Sequence, residues 1–147
     1  MGRISRQEMY METAKIVAKR STCNRAKVGA VLVKGKRIIT IGYGGAPSKL
    51  PHCIDVGCEI GPESGGGCIR TVHAEANVIS FAARYGIPLV GSDLYITLSP
   101  CYSCSKLIIN SGIQRVISLE PYRDSRGIEL LERAGVKHYL WEELSKE

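Results

Sequence analysis

Two short stretches hold residues that could do chemistry together. "RTVHAEANVIS", Arg70 to Ser80, sets His73 and Glu75 two positions apart, and "TLSPCYSC", Thr97 to Cys104, places Cys101 and Cys104 three apart directly after Pro100. Residues at i and i+2 do not share a helix face, so a surface ion pair explains His73 and Glu75 poorly. The two sulfurs do face the same way in a first helical turn, and the positive end of a helix favours thiolates. One ring nitrogen and two sulfurs suit a tetrahedral ion, with zinc the best match for that donor set. Three protein ligands leave a fourth position open, the mark of a catalytic rather than a structural ion, and a water there has its pKa lowered toward about 7. Glu75 can then reach past the metal to that water and shuttle its proton. Singly, His73 reads as an ordinary half-buried histidine, and C-x-x-C as a redox pair or half of a structural zinc site. In this order and with Pro100 in place, the metal reading prevails.

The elements that must position these groups follow from pattern. Gln7 to Arg20 suits an amphipathic helix, and VGAVLV and RIITIGYG, separated by Lys34-Gly35-Lys36, read as a β-hairpin. A Gly-, Pro- and Cys-rich stretch, Gly44 to Ile69, is about twice the usual length of an ordered loop. Then come helix Thr71 to Tyr85 ended by Gly86, strand Asp93 to Leu98, helix Cys101 to Ser111 ended by Gly112, and strand Arg115 to Leu119. Helix Ser125 to Ala134, ended by Gly135, and strand Lys137 to Leu140 complete the order α-β-β-α-β-α-β-α-β. Strands alternating with helices after an initial hairpin predict an α/β fold: three layers, α/β/α, with a five-stranded mixed sheet covered by helices on both faces.

A chain of 147 residues with 44% hydrophobic content can build one core, so residues 1–147 are expected to form a single domain with a Cys/Gly-rich insertion at about 44–70. No apolar run approaches the roughly 20 residues of a membrane helix, and MGRISRQEMYMET has neither a signal core nor a myristoylation pattern. The expected location is therefore the cytoplasm, where six cysteines read as thiols or metal ligands rather than three disulfides. The formal net charge of +6 favours an anionic partner, either a nucleotide phosphate or a polynucleotide.

The two opening stretches, together with "STCNRAKVGAVLV", "RIITIGYGGAPS", "LPHCIDVGC" and "VISLEPYR", resemble the zinc-dependent cytidine deaminase superfamily over about residues 6 to 124, and the deoxycytidylate (dCMP) deaminases more closely. H-x-E with P-C-x-x-C is the signature of zinc nucleobase deaminases. The resemblance implies a cytidine-deaminase-like fold and hydrolysis of dCMP to dUMP and ammonia, feeding dTMP synthesis. His73, Cys101 and Cys104 would hold zinc, with attack at C4 of the pyrimidine and Glu75 protonating N3 and then the leaving amino group. Backbone near Ala74 would contact the base carbonyl, and the Ser99 carbonyl would accept from the amino group. Arg25, Tyr122 and Arg123 occupy positions where similar enzymes approach the 5′-phosphate, which the planar arginine fork suits. The alternative for both arginines is a solvated surface charge.

Similar sequences read G-Y-N-G where this chain has Gly42-Tyr43-Gly44-Gly45, so an asparagine amide expected near sugar or effector is missing. The same resemblance implies dCTP activation and dTTP inhibition within a homohexamer. The effector, carrying Mg2+ on its triphosphate, would meet Asn24, Gly42, Tyr43, Gly44, Gly45 and Lys49. A second, structural zinc is expected among Cys23, His52, Cys53, Cys58 and Cys68, against the alternative of unpaired buried thiols. His138 reads as structural. Two other readings stay open. A tRNA adenosine deaminase shares the zinc motif but usually lacks the insertion. A non-catalytic zinc-containing nucleic-acid-binding module would need a stacking surface that one Phe and one Trp do not suggest. The dCMP reading takes no membrane and no polynucleotide partner.

Overall fold

In a computed structural model, which describes residues 2–61 and 67–144, the chain opens with a reciprocal helix cap. Ser5 Oγ accepts from the Glu8 N–H at 3.0 Å while the Ser5 N–H donates to the Glu8 carboxylate at 2.6 Å, starting α1 (Arg6–Ala18). The helix ends two residues before the expected Arg20, because the N–H groups of Arg20 and Ser21 bond only three residues back, to Val17 and Ala18, in a tightened last turn. Its buried stripe, Tyr10, Met11, Ala14, Val17 and Ala18, lies on the sheet. A Cβ on Gly29 would sit 2.2 Å from the Ala14 oxygen, so only glycine permits this close crossing.

The hairpin forms as the alternation suggests. β1 (Gly29–Lys34) and β2 (Arg37–Tyr43) are joined by Gly35 and Lys36, whose φ angles of 58° and 65° give a two-residue turn with the twist that a hairpin favours. β3 (Asp93–Leu98), β4 (Arg115–Glu120) and β5 (Lys137–Leu140) complete a five-stranded sheet in the order β2-β1-β3-β4-β5. β1 is antiparallel to both its neighbours, and β3, β4 and β5 run parallel, which makes the sheet mixed.

Side chains alternate between the two faces. Ala30, Leu32, Leu94, Ile96 and Val116 pack under α3 (Ala74–Tyr85), α4 (Tyr102–Ser111) and α5 (Arg126–Arg133) through Val78, Ile108 and Leu131. Val31, Val33, Tyr95 and Ile117 pack on the other face under α1. Full burial of each such aliphatic contributes about 1.5–3 kcal/mol. The α/β/α layering is therefore present as expected. Two four-residue helices were not foreseen: α2 (Cys53–Val56) inside the insertion and α6 (Trp141–Leu144) after β5. Residues 62–66 of the insertion lie outside the described residues. No described helix is long and apolar enough to cross a membrane.

Candidate metal and active site

The helix starts are displaced from their expected positions in a way that matters. α3 begins at Ala74 rather than Thr71 and α4 at Tyr102 rather than Cys101, so His73 and Cys101 each stand just outside a helix with extended backbone, φ/ψ −66°/152° and −74°/172°. Neither side chain caps its own helix. Both turn toward each other instead: His73 Nδ1 lies 3.5 Å from Cys101 Sγ and 3.5 Å from Cys104 Sγ. Glu75, in the first turn of α3, presents a carboxylate oxygen within 4.8 Å of all three of these atoms.

The donor spacing fits an ion. A tetrahedral centre with bonds of about 2.3 Å to sulfur and about 2.0 Å to nitrogen holds those atoms about 3.5 Å apart. The observed N···S distances meet that requirement without rearrangement, and the mixed nitrogen and sulfur set is that of zinc.

Charge is distributed accordingly. Cys101 is held down at about 4, chiefly by its bond with Cys104 and, against burial, by His73. Cys104 is pushed strongly upward by Cys101 and by burial. His73 rises to about 8 through its bond to Cys101, against burial, with Glu75 adding to the rise. Glu75 is only 4% exposed, and burial raises its carboxyl above the usual range although His73 opposes. A carboxyl so placed is suited to receiving and returning a proton near neutral pH.

A cavity of about 340 Å³ opens onto this cluster. His73, Glu75 and Cys101 line it together with all five residues assigned to substrate: Arg25, Ala74, Ser99, Tyr122 and Arg123. Ser99 closes the end of β3, its N–H and its hydroxyl both donating to the Glu120 carbonyl at 2.9 and 3.2 Å. Arg25 and Arg123 are exposed yet face this cavity, and the Arg123 guanidinium lies 5.3 Å from the Tyr122 ring centre. The size suits a mononucleotide-scale ligand.

The other assigned residues divide. Cys23, Cys53 and Cys58 bring their sulfurs within 4.8 Å of one another, and Cys68 Sγ lies 3.6 Å from Cys53 Sγ. His52 does not join them: its Nδ1 is 2.9 Å from Thr22 Oγ1 and 3.3 Å from the Ala46 nitrogen, so the imidazole pins loop to loop. Cys23 and Cys68 also line the main cavity, which places the insertion against the substrate space. Of the six effector candidates, Gly44 lines this same cavity. Gly42 packs flush on α3, Tyr43 and Gly45 give backbone groups to the start of that helix, and Asn24 and Lys49 are exposed. His138 meets Ser118 Oγ at 2.9 Å across β4 and β5. Sequence reasoning missed Thr71, whose hydroxyl lies 3.4 Å from Cys53 Sγ and which lines the cavity two residues before His73. No motif marks such a threonine.

Residues 4–120 match the family model described as the cytidine and deoxycytidylate deaminase zinc-binding region. The chain is 38% identical over 130 residues to the deoxycytidylate deaminase of Mycobacterium phage D29, covering 80% of this chain and 96% of that one. It is 41% identical over 137 residues to the ComE operon protein 2 of Bacillus subtilis, covering 92% and 71%. Among solved structures, the dCMP deaminase of cyanophage S-TIM5 in complex with dCMP and dUMP superposes with a TM-score of 0.82 at 34% identity, covering 95% of this chain and 99% of that one. With the motif, the fold and the site geometry in agreement, the chain belongs to the cytidine and deoxycytidylate deaminase zinc-binding family.

Proposed function

We propose that the protein hydrolyses dCMP to dUMP and ammonia. The observation that carries this reading is the cavity in which the buried carboxyl of Glu75, His73 and Cys101 share a wall with Arg25, Tyr122 and Arg123, with Cys104 completing the donor set beside them. The similarity to deoxycytidylate deaminases supports dCMP as substrate.

His73, Cys101 and Cys104 would hold zinc, which when bound supplies a water acidified toward about pKa 7. Glu75 would take one proton from the attacking water and deliver it to N3 of the pyrimidine as the water oxygen adds to C4. Through the same carboxyl the second proton passes from the new hydroxyl to the amino group. The C4–N bond breaks, ammonia leaves and C4 keeps its oxygen as a carbonyl. Backbone at Ala74 and the Ser99 carbonyl orient the base, and Arg25, Tyr122 and Arg123 receive the 5′-phosphate, Arg through paired N–H donors.

Further parts of the proposal go beyond the reaction. A second zinc held by Cys23, Cys53 and Cys58, with Cys68 as the fourth thiolate, would clamp the insertion; the sulfur spacing supports it. The homohexamer that the family resemblance implies would offer cover to the exposed Phe81, Tyr85 and Leu107 of α3 and α4. Activation by dCTP with Mg2+ and inhibition by dTTP would accompany that assembly, and free thiols at all six cysteines suit the cytoplasm. A deamination assay with dCMP, CMP, deoxycytidine and dCTP, each with and without dCTP or dTTP as effector, tests substrate and regulation together. Preferred turnover of dCMP is expected. Turnover of a tRNA anticodon adenosine with dCMP untouched would favour the tRNA deaminase, and no deamination at all would favour the non-catalytic module.

A further inference from the structure

We infer that Asn77 is a positioning residue for the His73–Glu75 pair, acting through the backbone on either side of His73; this rests on the deaminase reading above. The start of α3 lacks the usual side-chain cap because the His73 ring is turned to the sulfurs. Something else must hold residues 72 and 73 extended immediately before the helix.

Asn77 stands one turn further on. Its main-chain N–H donates to the His73 carbonyl at 2.9 Å. Its side-chain amide donates to the Tyr43 carbonyl at 2.7 Å and to the Val72 carbonyl at 3.4 Å. Tyr43 ends β2, and Val72 is bridged to Gly45 by two backbone bonds of 2.8 and 3.2 Å. A Cβ on Gly42 would lie 2.8 Å from the Ala74 oxygen, so the end of β2 also presses directly on the first turn of α3. One NH2 group thus joins the strand end, the residue before the metal-facing histidine and the helix that carries Glu75.

Both partners are carbonyls, so the side chain must donate. Alanine removes the amide donor from the Tyr43 carbonyl and leaves Val72 only its bond from the Gly45 N–H, and aspartate of the same shape turns a carboxylate toward both. Asn77 is not among the residues lining the substrate cavity. Its loss should therefore fall on the geometry of His73 and Glu75 rather than on substrate binding, as for other groups that orient a metal ligand from behind.

The test compares wild type, Asn77→Ala and Asn77→Asp in zinc-loaded and cobalt-substituted form. Expected are a fall in kcat of about tenfold or more, a KM for dCMP within about threefold of wild type, and retained zinc. The visible ligand-field bands of the cobalt protein should shift in both variants, a change that lowered overall stability alone does not produce. An unchanged kcat, an unchanged cobalt spectrum, or a loss confined to KM would each overturn the role. If the two variants do not fold, Asn77→Ser, which keeps one donor on a shorter arm, takes the same measurements and should fall between wild type and Asn77→Ala. Wild-type protein that binds cobalt without turning over dCMP would overturn the deaminase reading instead, and the cobalt spectra alone would then decide the role of Asn77.

Discussion

The chain places two clusters of soft donors against one cavity, and they stand on different scaffolds. His73 and Cys101 stand immediately before α3 and α4, and Cys104 lies in the first turn of α4, so the sheet and its helices fix all three. Cys23, Cys58 and Cys68 lie on connecting segments, and Cys53 opens the four-residue α2. The first group contains a buried carboxylate, Glu75, whereas the second gathers thiols and the Thr71 hydroxyl. Sulfur alone therefore does not mark chemistry. Three ligands with an acid beside them leave room for a reacting water, while three or four thiolates without one close around an ion and can only hold chain together.

The largest effect should come from breaking that distinction at its acid. Glu75→Gln keeps the three ligands and removes the proton shuttle, so the catalytic zinc should stay while kcat falls by about 10²- to 10⁴-fold. Metal analysis beside turnover checks this, and near-wild-type turnover would sink the assignment. His73→Ala, Cys101→Ala and Cys104→Ala should each lower metal content and rate together. Full zinc retention in all three would place the site elsewhere.

The same distinction sharpens from the other side. Metal-replete protein should contain about two zinc ions per chain, and Cys58→Ser or Cys68→Ser should bring this to about one. Melting temperature should drop, with turnover within about tenfold of wild type because the catalytic ligands are intact. One zinc per chain in the wild type would remove the second site and leave the first untouched.

What the sequence made legible follows the same division. The His73, Glu75, Cys101 and Cys104 set could be read because strand-to-helix junctions fix spacing, and a local motif then implies a geometry. The strands and long helices were legible from their periods, and glycines marked helix ends at Gly86 and Gly112, which have φ of 67° and 85°. In the insertion, spacing carries no such meaning. His52 sits beside Cys53 in the chain yet turns to Thr22 and Ala46, and α2 is too short to show a helical period. The Gly42–Gly45 run was read as an effector surface because its residue types resemble one. Its backbone also seats the start of α3, through contacts made by residues about 30 positions later. Long-range backbone pairing of that kind leaves no local pattern.

A smaller effect is expected at the phosphate end of the cavity. If Arg25 binds the 5′-phosphate, Arg25→Ala should reduce the preference for dCMP over deoxycytidine by roughly tenfold to a hundredfold, the scale of one charge-assisted hydrogen bond. The ratio of the two kcat/KM values reads this directly. An unchanged ratio with flattened responses to dCTP and dTTP would assign Arg25 to the effector. A mutant unchanged in both would move the phosphate contact to Tyr122 and Arg123.

The smallest expected effect is a count of protons, and it separates the clusters by a second feature the thiol group lacks, a histidine. In the metal-free protein His73 titrates at about 8, Cys101 at about 4, and Cys104 well above its usual range. At pH 7 the three ligands therefore hold an imidazolium proton and the Cys104 proton, with Cys101 already a thiolate. An ion needs neutral imidazole and two thiolates, so binding should release about two protons from these ligands below pH 8 and about one above it. Zinc affinity should accordingly climb with pH more steeply below 8 than above, because the folded-state pKa of His73 is raised and its proton must leave. At Cys68 burial acts upward but the Glu59 and Arg70 backbones outweigh it, giving about 6, while burial and Cys53 push Cys58 up to about 12. Neither thiol steps near 8. Proton release on adding zinc to chelator-stripped protein, followed in weak buffer from about pH 6.5 to about pH 9, should thus show two opposed steps, a rise near 7 from the bound water and a fall of about one proton near 8 from His73, the step near 8 being lost in His73→Ala and kept in Cys58→Ser. A step near 8 that survives His73→Ala would mean that the imidazole is not a ligand, and the two clusters would then differ in scaffold and in the Glu75 carboxylate only.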